Sequence, residues 1–240
     1  MRAAAREAID GVLRGAVERE GGVPGVVALA TDRRGDFYEG VFGVRELGGS
    51  RKMTPDTVFA IFSCTKAVTG VAVMQLVEEG EISLEHPARE YVPELAEIPV
   101  LEGFDASGEP RLRPARGEIT VGQLLLHTAG FGYDLFNEDL LRYGQARGVP
   151  SVITATMDSL RTPLLFDPGE RWEYGINIDW AGKVVEAVRG RRLGEVFRER
   201  IFEPSGMEST AFTMTEGMRR RRATIHQRGE DGSLTPLPDL

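Results

Sequence analysis

The chain has 240 residues, 41% hydrophobic and 28% charged, an ordinary composition for a soluble globular protein of one large domain or two small ones. Its net charge of −8 argues against nucleic acid as the main partner, and its single cysteine, Cys64, excludes a disulfide within the chain. No segment approaches the apolar length of a membrane span, and charges interrupt the N-terminal stretch too often for a signal-peptide core, so no membrane partner and a cytoplasmic, reducing setting are expected.

In chain order, "MRAAAREAIDGVLRGAVERE" reads as an amphipathic helix with Ala5, Ile9, Val12, Leu13 and Val17 facing inward. Two strands, about 25–32 and 36–43, follow and pair as a hairpin through a turn at Arg34-Gly35. Residues Thr57 to Phe62 are expected to be extended, and "CTKAVTGVAVMQLVEEGEI" helical up to a stop at Gly80. Ser63 thus falls at a strand-to-helix junction. The Gly-, Pro- and charge-rich span "VLEGFDASGEPRLRPARGEIT" reads as an exposed excursion ending at Thr120, an N-cap for "VGQLLLHTAG". Helices are expected again from Asn177 to about Gly190 and from Leu193 to Ile201. The run from Met218 to Arg222 reads as a solvated helix end, and "GEDGSLTPLPDL" as the middle of a hairpin or loop. A lone N-terminal hairpin exposes two edges, so its sheet needs completion by a further segment or a partner.

The stretch "FAIFSCTKAVTG" places a serine three residues before one of only three lysines. Positions i and i+3 share a helix face, so Ser63 and Lys66 point the same way if a helix begins here. A serine hydroxyl needs a base to become a nucleophile, and lysine can be that base when burial and a helix N-terminus lower its pKa. The Ser63 N–H, at a helix start, offers one oxyanion donor. Taken alone, Ser-x-x-Lys is a loose pattern, although neither Lys52 nor Lys183 repeats it.

Four stretches, "FAIFSCTKAVTGVAVMQLVEEGEISLEHPAREYVPEL", "GEITVGQLLLHTAGF", "FDPGERWEYGINIDWAGKVVEAV" and "IFEPSGM", make the chain resemble the serine β-lactamase-like family in order and spacing. That superfamily joins penicillin-binding proteins, class C β-lactamases, family VIII carboxylesterases and lovastatin-type acyl transferases, and the resemblance lies closest to the last two. It implies an α+β fold of the β-lactamase/transpeptidase type, with an antiparallel sheet, incomplete in this chain, flanked by helices plus a mainly helical domain. On that reading residues 1–62 are the N-terminal part of the α/β domain, and residues 63–240 the helical domain carrying the motifs. It further implies that Ser63 is the nucleophile, Lys66 its partner base and Tyr174 the tyrosine that moves the proton.

Two departures from the family pattern bear on function. Where lactamases carry Tyr-x-Asn this chain reads Tyr174-Gly175-Ile176, with Asn177 one place late, which suits an ester better than a lactam amide. The family's third motif, a Lys-Thr-Gly or Trp-Gly-Gly-like triplet, finds no match, so the second oxyanion donor and the final strands are expected to lie in about 150 further residues. Phe131, Tyr133 and Phe136, in a Gly-flanked loop, are candidates to line an apolar acyl pocket, with Asn177 a further substrate-binding candidate. His127 reads as structural support below the site, Cys64 as a small packing residue, and Trp172 and Trp180 as core. The histidines, His86, His127 and His226, are far apart and paired-cysteine spacing is absent, so no metal and no other cofactor is expected. The expected activity is a covalent acyl-serine mechanism on small-molecule carboxylic esters. The rivals are a β-lactamase or D-Ala-D-Ala carboxypeptidase and, from another class, an inactive fragment or binding module.

Overall fold

The structure, a computed structural model, describes residues 2–237. The chain divides into two compact units, Met1–Phe62 with Ala211–Leu240, and Ser63–Thr210. Residues 211–240 group with the N-terminal segment and not with residues 63–210. Pairing explains this grouping: Val58 and Arg222 form a parallel bridge, and Ala223 N–H donates to Val58 O at 2.9 Å. Among the described residues no helix is long and apolar enough to cross a membrane.

In the first unit, helix α1 (Ala3–Glu18) is followed by the antiparallel hairpin β1 (Gly25–Asp32) and β2 (Gly35–Gly43), which carries a bulge between Ala30 and Thr31. Tyr38 ties β2 to α1 through a 2.7 Å bond from its OH to Asp10. The inward stripe expected for α1 is only half realised. Leu13 and Val17 are half-buried, while Ala5, Ile9 and Val12 are exposed, Val12 at 73%. A two-stranded ribbon within this unit is too narrow to cover the stripe. Residues 57–62, expected to be extended, form no regular strand and pair only through the bridge at Val58.

The Met218–Arg222 run belongs mostly to a short helix, Glu216–Arg221. It is more than a solvated end, because Met218 is buried and Arg221 Nη1 donates to Asp56 O at 2.7 Å. The C-terminal polar stretch forms half of a hairpin, Ile225–Arg228 paired with Leu234–Leu237.

The second unit holds the main core. Helix α2 (Thr65–Glu78) buries Thr69, Ala72, Val73 and Leu76, and α5 (Asn177–Arg189) buries Ile178, Trp180, Ala181, Val184 and Val185. Both apolar stripes enter one cluster with Leu124, Phe131, Leu164 and Phe197. Between them come β3 (Val100–Phe104), β4 (Pro110–Arg113), α3 (Val121–Leu126) and α4 (Glu138–Arg147). The helix expected over 193–201 is regular only as α6 (Leu193–Phe197), then widens into a π-type turn over Arg198–Phe202.

The span read as an exposed excursion is instead the β3–β4 hairpin, and Val100 and Leu101 are buried. It is held because Leu101 N–H donates to Leu164 O at 2.8 Å and Arg113 grips the buried Asp167 through two bonds of 2.7 and 2.8 Å. Those bonds from Arg113 and one from the Arg116 N–H hold the Asp167 carboxyl down at about 2. Composition alone suggested a loop because the two apolar residues that matter are outnumbered by Gly, Pro and charge.

Thr120 caps α3 as expected. Its side chain accepts from Gln123 N–H, and the Gln123 side chain accepts in return from Thr120 N–H, at 3.1 and 3.0 Å. Thr120→Ala is expected to cost about 1 kcal/mol in urea unfolding monitored by circular dichroism.

Candidate active site

Ser63 stands in a one-turn 3-10 segment, Phe62–Cys64, that runs directly into α2. The residue before it, Phe62, has φ 40°, a left-handed conformation that costs a non-glycine residue roughly 1–3 kcal/mol and recurs where a chain must present a side chain sharply. Ser63 is exposed and Lys66, one turn on, is half-buried, with its Nζ 3.2 Å from Ser63 Oγ. Cys64, expected to pack, is exposed because the tight turn directs it outward.

Tyr174 arrives from a different part of the unit. Residues 164–173 run beside the Gly130 loop, with Leu165 N–H bonded to Gly130 O and Gly169 N–H to Thr128 O at 2.8 Å, and Glu173 N–H to His127 O at 2.9 Å. That register sets the Tyr174 OH 2.8 Å from Ser63 Oγ. It depends on Gly175: a Cβ there would meet Gly132 Cα and C at 2.5 Å and Phe131 O at 2.6 Å. These are backbone atoms that cannot swing aside, so Gly175→Ala is expected to cost about 1–3 kcal/mol as an overpacked site and to lower the urea midpoint.

The charges follow from these neighbours. Burial disfavours the Lys66 ammonium, but bonds to the oxygens of Tyr174 and Tyr133, and their charges, outweigh it and hold the Lys66 pKa above the ordinary amine value. This reverses the lowered lysine pKa expected from sequence. Two phenols facing the amine were not foreseeable from a serine–lysine spacing. Burial likewise opposes ionisation of Tyr174, yet its bonds to Ser63 and Lys66 and the Lys66 charge prevail and hold its pKa below the ordinary phenol value. Tyr133 is moved the other way, upward, chiefly by burial. Of the three groups around Ser63, Tyr174 is therefore the one prepared to give up its proton and Lys66 the one that keeps it.

His127 ends α3 in the left-handed region, φ 57°, which turns its ring against Tyr174 with centroids 5.0 Å apart. Burial and the nearby Lys66 charge push its pKa down to about 4, so the imidazole is neutral at neutral pH. Its Nδ1 accepts from Asn177 Nδ2 at 3.2 Å and from Gly175 N–H at 3.4 Å, which assigns the ring proton to Nε2. Burial also disposes of two substrate-binding candidates. Asn177 is fully buried, its amide nitrogen spent on His127, Phe131 O and Glu173 O, and Phe131 is fully buried against Trp180 with ring centroids 6.1 Å apart. Tyr133 does reach the site, with Lys66 Nζ 5.5 Å from its ring centroid. Trp180 is core as expected, but Trp172 is 63% exposed and its ring stacks on Tyr174 at 6.4 Å and 21°. A separate concavity of about 530 Å³, lined by Leu95, Ile98, Leu112, Ile119 and Leu164 among others, contains none of these groups.

Residues 5–240 match the family signature described as "Beta-lactamase". The chain belongs to the beta-lactamase family. Within this beta-lactamase family it is similar to "Acyltransferase mokF" of Monascus pilosus, 35% identical over 237 residues that cover 94% of this chain and 57% of the relative. It is similar also to "Lovastatin esterase" of Penicillium rubens, 35% identical over 80% of this chain and 49% of the relative. Among solved structures, "Simvastatin Synthase (LovD) from Aspergillus terreus, unliganded" in its selenomethionyl form superposes with a TM-score of 0.87 at 33% identity, covering 98% of this chain and 60% of that one. The β-lactamase/transpeptidase-like fold expected from sequence is thereby established. The chain spans about half the length of the curated relatives it matches.

Proposed function

We propose that this chain is a serine acyl-transfer enzyme that forms a covalent acyl-serine at Ser63 from carboxylic esters and passes the acyl group to water or to an alcohol. The observation that carries this reading is the meeting of three groups at one oxygen: Ser63 Oγ lies 2.8 Å from Tyr174 OH and 3.2 Å from Lys66 Nζ. The Lys66 pKa is held up and the Tyr174 pKa held down, so Lys66 is the charge beside the serine and Tyr174 the group more ready to exchange its proton. In its ionised form Tyr174 accepts the Ser63 proton as Oγ attacks the ester carbon and returns it to the departing alkoxide, so Tyr174 serves as base and then as acid. Lys66 is the positive charge that keeps this proton shuttle poised. The Ser63 N–H, at the start of the helical run, supplies one oxyanion donor.

Esters are favoured over β-lactams by the second motif. Ile176 stands where the lactamase pattern has an asparagine and is 1% exposed, and the amide of Asn177 is consumed internally, so neither offers a donor to a lactam amide. The family members named as an acyltransferase and an esterase support the same chemistry.

Hydrolysis of p-nitrophenyl butyrate by this chain and by Ser63→Ala, with intact mass taken on the same samples, tests the reading. Turnover that survives Ser63→Ala unchanged would sink it. The expected result is loss to the background rate in the variant.

A further inference from the structure

Trp172 is one end of a continuous line of aromatic rings centred on the site. Trp172 lies 6.4 Å from Tyr174 and 6.3 Å from His127, Tyr174 lies 5.4 Å edge-on to Tyr133, and Tyr133 lies 6.2 Å edge-on to Phe136. Both ends of the line stand in solvent, Trp172 at 63% and Phe136 at 72% exposure. An indole left this open gains little from the fold, yet its backbone is fixed by the Glu173 bond to His127 O, one residue on.

We infer that the open face of Trp172 is the platform for the alcohol portion of the ester, and that it favours a flat aromatic group there. The inference rests on the acyl-serine reading above and adds the side on which the alcohol half of the substrate lies. In that reaction the Ser63 Oγ–acyl carbon bond forms, the acyl carbon–alkoxide bond breaks, and the proton taken from Ser63 passes from Tyr174 to the alkoxide oxygen. In the reverse sense an acceptor alcohol gives its proton to Tyr174 while its oxygen takes the acyl carbon from Ser63. Either way the alcohol oxygen must sit within hydrogen-bond reach of Tyr174 OH, and the group it carries must lie against a neighbour of Tyr174.

The rings beside Tyr174 lie on two sides, Tyr133 on one and Trp172 with His127 on the other. On the Tyr133 side stands the Lys66 ammonium, 5.0 Å from the Tyr174 ring centroid and 5.5 Å from that of Tyr133, where an apolar group would strip water from a charge. On the Trp172 side the nearest titratable ring, His127, is neutral, and the indole presents a flat apolar face. Apolar surface therefore gains most on the indole, and offset stacking rewards a planar group there.

Two esters with the same butyryl group and leaving alcohols of similar reactivity, 2-naphthylmethyl butyrate and ethyl butyrate, separate the roles. Trp172→Ala is expected to lower kcat/KM for the naphthylmethyl ester about tenfold and for the ethyl ester by about twofold at most, with Trp172→Phe recovering part of the loss. Equal loss on both esters would reduce Trp172 to a support for Tyr174 and overturn the inference, as would no loss on either. Binding of 2-naphthylmethanol to Ser63→Ala protein, followed by NMR titration, reads the platform without turnover. Adding Trp172→Ala should weaken it about tenfold, and an unchanged Kd would overturn the inference. If ester turnover survives Ser63→Ala, the acyl-serine reading fails while this titration still decides whether Trp172 binds the alcohol.

Discussion

Tyr174→Phe is expected to lower kcat/KM for ester hydrolysis by about a hundred- to ten-thousandfold, the range for loss of a positioned proton-transfer group. The substitution removes one oxygen, 2.8 Å from Ser63 Oγ, and leaves the ring with its stacking on Trp172 and its edge contact with Tyr133. Packing is kept, so the urea midpoint should barely move and the loss reports chemistry. The pH profile gives a second signature. A base whose pKa is lowered works above that pKa, so the wild-type rate rises with pH through a limb below the ordinary phenol range, then falls where the raised Lys66 pKa is crossed. In Tyr174→Phe the rising limb should vanish.

Lys66→Met is expected to cost about a thousandfold, by a different route that the same profile separates. Lys66 contributes both a bond and a charge to the lowering of the Tyr174 pKa, while burial pushes the other way. Without the ammonium the Tyr174 pKa rises, and the rising limb should shift to higher pH without disappearing. Steady-state rates of the two variants across the alkaline range check this pair of outcomes. A limb unmoved in Lys66→Met would contradict the assignment of Lys66 as the charge that lowers the Tyr174 pKa.

The parts of this site legible in the sequence were those set by local geometry. Ser63 and Lys66 lie three residues apart at a helix start, and a helix face is a property of spacing alone. The Thr120 cap and the helix from Asn177 could be read for the same reason. Tyr174 was reached through its family motif, because 111 residues separate it from Ser63 and only the tertiary register of residues 164–173 brings them together.

The misreadings share one cause, since burial is decided by elements remote in sequence. Phe131 and Trp172 are both large aromatics near glycines, and nothing in their own neighbourhoods tells that one packs under Trp180 and the other stands in water. Asn177 looked free to meet a substrate, because the histidine that occupies its amide lies 50 residues earlier. The direction of the Lys66 shift was misread because the oxygens of Tyr174 and Tyr133 both face the amine, and that placement comes from the tertiary fold and not from the serine–lysine spacing.

The central claim is that Ser63 is the atom that carries the acyl group. It is tested most directly by treating the 240-residue chain with a fluorophosphonate probe and reading the intact mass and the labelled peptide. The account predicts a single adduct on the peptide containing Ser63, absent from Ser63→Ala and slowed in Tyr174→Phe. An adduct on another residue, or no adduct at Ser63 while ester turnover is measurable, would contradict it.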